Sequence, residues 1–588
     1  MSNNEIAILD FGSQYTHLIA RRIREIGVIS HIYPNDTKAE KLTNAVGIIL
    51  SGGPKSVTSS EKLEYDTNIF KQNKPILGLC YGHQLIAQHF GSEISSGKIR
   101  EYGIASLKIS DSPIFNNIKK QTTVWMSHGD NVEKLPKNFK QIGTTGNNSI
   151  TAMSLSEKNI YSFQFHPEVN HSIDGKTMLE NFVLNICNAE KNWNTNDMLL
   201  QIQENIRKEA KNKKIFLLIS GGVDSTICFT LLEKTLGKDK VYGFHIDHGF
   251  MRLNESEQVK EALTNIGLDD LHIYNASKEY FESLKKVYEP EEKRKIIGNL
   301  FLDITDKIMK KLNFNEKDWL LGQGTIYPDT IESGGTKNSD KIKTHHNRVD
   351  RIQKMIQKGL IIEPIKELYK DEVRKIGLKL NLPKNLINRQ PFPGPGLAIR
   401  CLCSEGNNKK PITISEGTKL PIKSVGVQGD ERSYKHPLVL TNTKINWQKL
   451  HKISPKITNK YKNINRVLIT IYGNEEQIKN STLKKSYLTK ERISLLRQLD
   501  NKINKIVNNN KNCSHIWQMP IVLIPFGYNH KESIVIRPVE SEEAMTVNFA
   551  KLPKNVIKQI QAEIEIIDKV DFVFFDITNK PPGTIEWE

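Results

Sequence analysis

Short apolar runs alternate with amphipathic stretches along the first 400 residues of this chain. That alternation admits few folds. Glu5 to Leu9 reads as a strand, and Tyr15 to Ile26 as a helix closed by Gly27. Val46 to Leu50 and Pro75 to Leu79 read as further strands, the second running into a helix from Tyr81 to Phe90. A polar stretch from Asn188 to Asp197 reads as a linker, after which the rhythm restarts. Ile215 to Ile219 is a predicted strand, Thr226 to Leu236 a helix and Val241 to Ile246 a strand. Strands that alternate with helices of this length pair in parallel, because each crossover must carry the chain back across the sheet. Two successive parallel-sheet α/β domains are therefore expected, over residues 1–190 and 198–400.

Pro391-Phe392-Pro393-Gly394-Pro395-Gly396 can be neither helix nor central strand, and it marks a rigid boundary. Beyond it, over residues 401–588, strands are followed by helices, so an α+β region is expected. Ser424 to Leu440 and Pro520 to Val539 both look like strand-turn-strand units, which suggests a degenerate internal duplication and two subdomains. At 588 residues the chain has room for two to four domains.

Charge is distributed unevenly. The net charge is +18, with 19 basic and 18 acidic residues in 1–190, 36 and 29 in 191–400, and 29 and 19 in 401–588. A basic surface outside the first third suits polyanionic ligands, nucleotide or nucleic acid, although Lys- and Asn-rich composition accounts for many of these lysines equally well. The six cysteines form no disulfide framework and no CxxC pair, so a reducing, cytoplasmic setting is expected. The start lacks the basic and apolar regions of a signal peptide, and no apolar run approaches the ~18 residues of a membrane span.

Gly78-Leu79-Cys80-Tyr81-Gly82 lies between a predicted strand and a helix. It has the form of a nucleophile elbow with Cys in place of Ser. The helix N-terminus favours a thiolate, and the Tyr81 N–H is placed to donate to an oxyanion. Alone, such a cysteine fits buried packing as well as catalysis. His166-Pro167-Glu168 shifts the balance: in an extended chain residues two apart share a face, so His166 can take the Cys80 proton while Glu168 orients the imidazole.

Ser220-Gly221-Gly222-Val223-Asp224-Ser225 also sits between a strand and a helix. Adjacent glycines let backbone N–H groups approach phosphate oxygens, and the hydroxyls and the helix N-terminus add donors. It is not a Walker loop. A Gly-Gly turn before a helix also occurs as plain punctuation.

With Asp10 to Gln14, Ser51 to Pro54, Ser127 to Asp130 and Phe165 to Val169, the first third resembles class I glutamine amidotransferases. That resemblance implies thioester chemistry on glutamine at Cys80 and assigns the second oxyanion-hole N–H to Gly53. The Ser220–Ser225 hexapeptide resembles the loop of ATP-pyrophosphatases of the adenine-nucleotide hydrolase-like fold, which adenylate a carbonyl oxygen with magnesium-bound ATP. Asp224 is then a candidate for the metal and phosphate arrangement.

Gly322 to Asp329, Lys343 to Asn347, Arg389 to Arg400, Ser424 to Asp430 and the tail Lys580 to Glu588 extend the likeness across nearly the whole chain. Together they resemble the glutamine-hydrolysing GMP synthetase family. The resemblance implies XMP, ATP and glutamine as substrates, with ammonia passing from the first domain to the second. It places Lys370 at pyrophosphate, and Arg294, Asp430, Gln518, Lys580 and Glu586 around XMP. It also puts His345 and His346 on a lid over the adenylated intermediate. Gln390 departs from the family's usual His, and the long C-terminal part leaves monomer and homodimer both open. An amidating pyrophosphatase with another acceptor, such as an NAD synthetase, and a basic nucleic-acid-binding protein are the competing readings. The tail argues against the first, and the intact Cys80, His166 and Glu168 against the second.

Overall fold

The computed structural model describes residues 4–13, 15–58, 63–146, 150–327, 355–406, 409–428, 431–441, 445–528, 531–540, 547–580 and 582–588. They fall into two compact units.

The first unit holds the described residues up to Asn205, with Ile326, Tyr327 and Ile365–Glu372. Its centre is a nine-stranded sheet made of β1 (Glu5–Asp10), β2 (Ser30–Pro34), β3 (Ala45–Leu50), β4 (Ile76–Leu79), β5 (Ile94–Ile109), β6 (Gln121–Val132), β7 (Lys140–Thr144), β8 (Ala152–Leu155) and β9 (Ile160–Phe163). The spatial order is β2-β1-β3-β4-β9-β8-β7-β5-β6. The part from β2 to β9 is parallel, as the strand-helix rhythm requires. The part from β8 to β6 is antiparallel, an extension that the sequence reading lacked. Along β6 buried and half-buried residues mostly alternate, so this strand carries no continuous apolar run. The inner parallel strands β1 and β4 are buried on both faces, every residue inaccessible or nearly so. Helix α1 (Thr16–Ile26) ends at Gly27, whose φ of 100° supplies the left-handed cap.

Arg24, 4% exposed, fastens the later segments to this unit. Its guanidinium lies 4.7 Å from the Trp193 ring centroid, 5.2 Å from Tyr327 and 5.5 Å from Tyr369. It pairs with Glu372 at 3.5 Å and donates to the Glu367 carbonyl. The Tyr369 hydroxyl donates to His17 O at 2.6 Å.

The second unit contains two large sheets and, among the described residues, three two-stranded ones. Strands β10 (Lys214–Leu218), β11 (Val241–Asp247), β12 (Leu271–Asn275), β13 (Trp319–Gly322) and β14 (Ile361–Ile362) form an all-parallel sheet in the order β12-β11-β10-β13-β14. The predicted helix after β10 begins at Val223, three residues earlier than its apolar pattern suggests. The other sheet is mixed and eight-stranded. In it Glu431–Leu440 runs parallel to Ile464–Tyr472, and Glu532–Ile536 parallel to Val570–Asp576. The connecting helices are Trp447–Lys460 and Lys554–Glu565. Ile464–Tyr472 and Val570–Asp576 pair antiparallel at the centre, so two βαβ units meet about that pair. An antiparallel strand pair followed by a helix and a parallel strand thus occurs twice in this sheet. No helix among the described residues is long and apolar enough to cross a membrane.

Candidate active site

The elbow geometry at Cys80 is present. Cys80 has φ 50° and ψ −100°, at the N-terminus of α2 (Tyr81–His89). A non-glycine residue there carries strain of about 1–3 kcal/mol, which persists only where the surroundings enforce it. They do so from both sides: Cys80 N–H donates to Phe163 O at 2.8 Å and Gly82 N–H to Ser51 O at 3.1 Å. Gly78 and Gly82 are small for a reason. A Cβ on Gly82 would sit 2.4 Å from Leu50 O, and one on Gly78 would sit 2.5 Å from Gly82 O.

His166 and Glu168 lie just past β9, in a turn and not in the extended chain that the sequence suggested. The turn still brings them together. His166 Nδ1 and Glu168 Oε1 are 2.7 Å apart, with side chains 4% and 0% exposed. His166 N–H donates to Trp125 O at 3.0 Å. The Ser172 hydroxyl donates to His166 O at 2.6 Å while accepting from Trp125 N–H at 3.0 Å, so the edge strand β6 fixes the histidine backbone. The Tyr15 ring stands edge-on to the imidazole at 4.9 Å. Burial opposes a charge on His166, but the charge of Glu168 and hydrogen bonds to Cys80 and Glu168 outweigh it, and its pKa is pushed up to about 10. The direction of that shift favours the imidazolium, the form that can donate a proton. Deep burial drives the neighbouring His83 the other way, to about 3, with His128 adding to the fall. Gly52 and Gly53 follow β3, and a Cβ on Gly52 would lie 3.3 Å from His166 Cε1. Gln14 lies outside the described residues.

The Ser220–Ser225 loop joins β10 to the helix Val223–Leu236. Gly221 has φ 81°, which lets the chain reverse so closely. The serine hydroxyls partly brace the loop itself: Ser220 Oγ and Ser225 Oγ are 3.1 Å apart, and Ser220 N–H donates to Ser225 Oγ at 3.2 Å. Gly324 lies just past β13. A Cβ there would fall 2.9 Å from Ser225 Cα and 3.0 Å from Ser225 N, so it lets the segment after β13 lie against the loop. Lys370 opens the helix Lys370–Lys379 and belongs to the first compact unit, whereas the loop belongs to the second.

Of the residues expected around XMP, Gln518 and Glu586 come together: Gln518 Nε2 donates to Pro391 O at 3.1 Å and to Glu586 Oε1 at 3.3 Å. Arg400, buried at 1% exposure, grips Glu586 with two parallel bonds of 2.9 and 2.7 Å. Its spacing to Glu586, 186 positions on, gives no periodic signal in the sequence. Gln390 Oε1 accepts from Met519 N–H at 3.3 Å, a role that needs no ionisable group. Arg294 donates to the Glu588 carbonyl, beside the buried Lys293–Glu588 ion pair. Lys580 is held by a backbone bridge to Val547. Asp430, His345 and His346 lie outside the described residues.

Comparison with known proteins defines the class first. Residues 7–186 match the class I glutamine amidotransferase family model and residues 194–321 the NAD synthase model, so an amidotransferase is joined to an ATP-using α/β domain. Residues 505–587 match the GMP synthase C-terminal domain. The chain is 44% identical to a Leptospira interrogans protein named Probable GMP synthase (glutamine-hydrolyzing), and 41% identical to the GMP synthase of Aquifex aeolicus. Each match covers 100% of both chains. The GMP synthase of Mesoplasma florum is 40% identical, over 80% of this chain and 98% of its own length. The chain belongs to the glutamine-hydrolysing GMP synthase family, a family of ATP-dependent ligases.

Proposed function

We propose that this chain converts XMP, ATP and glutamine into GMP, AMP, pyrophosphate and glutamate, with residues 1–190, 198–400 and 401–588 as its glutaminase, adenylating and XMP-binding domains. The observation that carries the reading is the strained Cys80 beside the His166–Glu168 pair, in a chain matched end to end by glutamine-hydrolysing relatives. Cys80 Sγ attacks the glutamine amide carbon. The oxyanion is met by the N–H groups of Gly53 and Tyr81, and His166 gives its proton to the departing ammonia. Water then releases glutamate from the thioester.

In the adenylating domain a purine-ring oxygen of XMP attacks the α-phosphorus of ATP and pyrophosphate leaves. The Ser220–Ser225 loop cradles the phosphates, and Lys370 reaches the leaving group. Ammonia then displaces AMP. Arg294, Asp430, Gln518, Lys580 and Glu586 hold XMP, and His345 and His346 belong to a lid that excludes water. Magnesium would arrive on the ATP phosphates and neutralise their charge. Asp224, in the phosphate loop, is the candidate protein carboxylate for that ion. The enzyme works in the cytoplasm as a monomer or homodimer, with no membrane and no specific nucleic acid as partner.

The test is incubation with XMP, Mg-ATP and either glutamine or ammonium, followed by nucleotide separation. Cys80→Ala should lose the glutamine route and keep the ammonium route, because only the first uses the thiol. Asp224→Ala should lose both, since adenylation precedes nitrogen attack in each. Full glutamine use by Cys80→Ala, or normal ammonium use by Asp224→Ala, would contradict the corresponding assignment.

A further inference from the structure

The oxyanion hole described above depends on one peptide unit with unusual freedom. Gly52 and Gly53 have no Cβ, so sterics alone do not dictate which way the amide between them faces. The Gly52 carbonyl and the Gly53 N–H belong to the same planar trans unit and point in opposite directions. Whatever fixes the carbonyl therefore aims the N–H. A reversed unit would turn a carbonyl oxygen toward the developing oxyanion and repel it.

Ser51 fixes the carbonyl. Its Oγ lies 2.9 Å from Gly52 O and 3.0 Å from Phe11 N. The roles are unambiguous, because a backbone N–H can only donate and a carbonyl can only accept. Phe11 N–H occupies a lone pair of the hydroxyl, which leaves its single proton for Gly52 O. Ser51 is itself 0% exposed, so water does not compete for these bonds. Its backbone is held at both ends: Ser51 N–H donates to Leu9 O at 3.1 Å, and Ser51 O accepts from Gly82 N–H at 3.1 Å. The end of β1, the end of β3 and the first turn of α2 thus converge on this residue. Close packing adds to the register, since a Cβ on Gly53 would lie 2.7 Å from Phe11 O.

We propose that Ser51 is a positioning residue of the glutaminase, whose hydroxyl locks the Gly52–Gly53 peptide so that the Gly53 N–H faces the oxyanion formed at Cys80. The inference rests on the reading of Cys80 and Gly53 given under the proposed function. Ser51→Ala removes the lock and adds no atoms. Its kcat for glutamine hydrolysis should fall roughly 10- to 100-fold, less than the 10²–10³ for outright loss of a donor, with KM changed less than about twofold. Alkylation of Cys80 by iodoacetamide forms no oxyanion, so its rate and pH profile should be those of the parent protein. Ammonium-dependent synthesis should also be retained. Ser51→Thr, which keeps the hydroxyl, should recover most of the turnover.

Normal glutamine turnover in Ser51→Ala would overturn the proposal. So would an equal loss of alkylation rate, which would mean that the serine merely holds the site together. Cys80→Ala run alongside separates the two levels. If it retains glutamine turnover, the nucleophile reading and this proposal fall together; if it is inactive while Ser51→Ala is normal, only the role of Ser51 falls.

Discussion

At the scale of single residues, the site is a set of local violations held in place by neighbours. Cys80 sits at positive φ, Glu168 raises the pKa of His166 against the pull of burial, and Gly78 and Gly82 pack where no Cβ fits. The raised pKa of His166 makes a signed prediction. A group whose pKa rises on folding stabilises the fold fully below its unfolded value, near 6.5, and loses that contribution as pH climbs through about 10. Glu168→Gln removes the charge that offsets burial, so the His166 pKa should drop by roughly 1–3 units. The alkaline limb of the glutamine kcat/KM profile should move down by the same amount, and thermal stability should fall at pH 6 but not at pH 10.5. An unmoved alkaline limb would show that another group sets it. The sharp turn at Cys80 and the pairing of His166 with Glu168 were legible in the sequence. Ser172 and Trp125, which hold the histidine backbone, were not, because a bond across 47 positions leaves no local pattern.

Elements were legible where their period was clean. The strands β1, β3, β4, β10 and β11 and helices α1 and α2 fall within one or two residues of expectation. The helix after β10 was misjudged at its start, because Asp224 and Ser225 are poor helix formers and the apolar pattern begins only beyond Thr226. Their side chains are put to use in the first turn, where Thr226 Oγ1 donates to Gly222 O at 2.8 Å. The antiparallel extension of the first sheet was missed since half-buried strands resemble polar loops. Gly324 yields an element-scale prediction. A methyl group at this position would press on the Ser225 backbone, which cannot yield without shifting the start of the helix. Overpacking of this kind costs about 1–3 kcal/mol. Gly324→Ala should therefore weaken ATP use roughly 10- to 100-fold with either nitrogen source, while Cys80 alkylation stays normal. Parent-like ATP kinetics would show that the loop tolerates the displacement.

At the scale of the whole molecule, the basic excess of the C-terminal region divides into two populations. Lys449, Lys452, Lys456 and Lys460 lie on the exposed face of the helix Trp447–Lys460, opposite Leu450, Ser454 and Ile457, and form a solvated surface. Arg466 and Arg537 are 0% exposed and share one carboxylate, Asp576, at 2.9 and 3.0 Å. Arg466 and Asp576 lie on the two central strands, so this cluster fastens one βαβ unit to the other. Burial presses both guanidiniums toward neutrality, repulsion by Arg537 adds to this at Arg466, and Asp576 opposes it at both. Asp576→Asn would strand two buried cations, at a cost of about 3–5 kcal/mol. Urea unfolding followed by the fluorescence of Trp587, whose Nε1 donates to Asp576 at 3.1 Å, should report an earlier transition. An unchanged midpoint would mean that the arginines find other partners.

The sequence by itself determined the strand-helix rhythm, the tight strand-to-helix turn at Cys80 and the glycine turn between β10 and the helix Val223–Leu236. Those features are local: period, turn chemistry and short spacing are written in neighbouring residues. Only the tertiary structure decided which groups face one another across long separations. Ser51 reaching Phe11, Arg400 gripping Glu586, Arg24 stacked against Trp193, Tyr327 and Tyr369, and two βαβ units sharing one aspartate are of this kind. A buried polar group must find a partner somewhere, but the chain states that need without naming the partner, and the choice is made only when the sheets close.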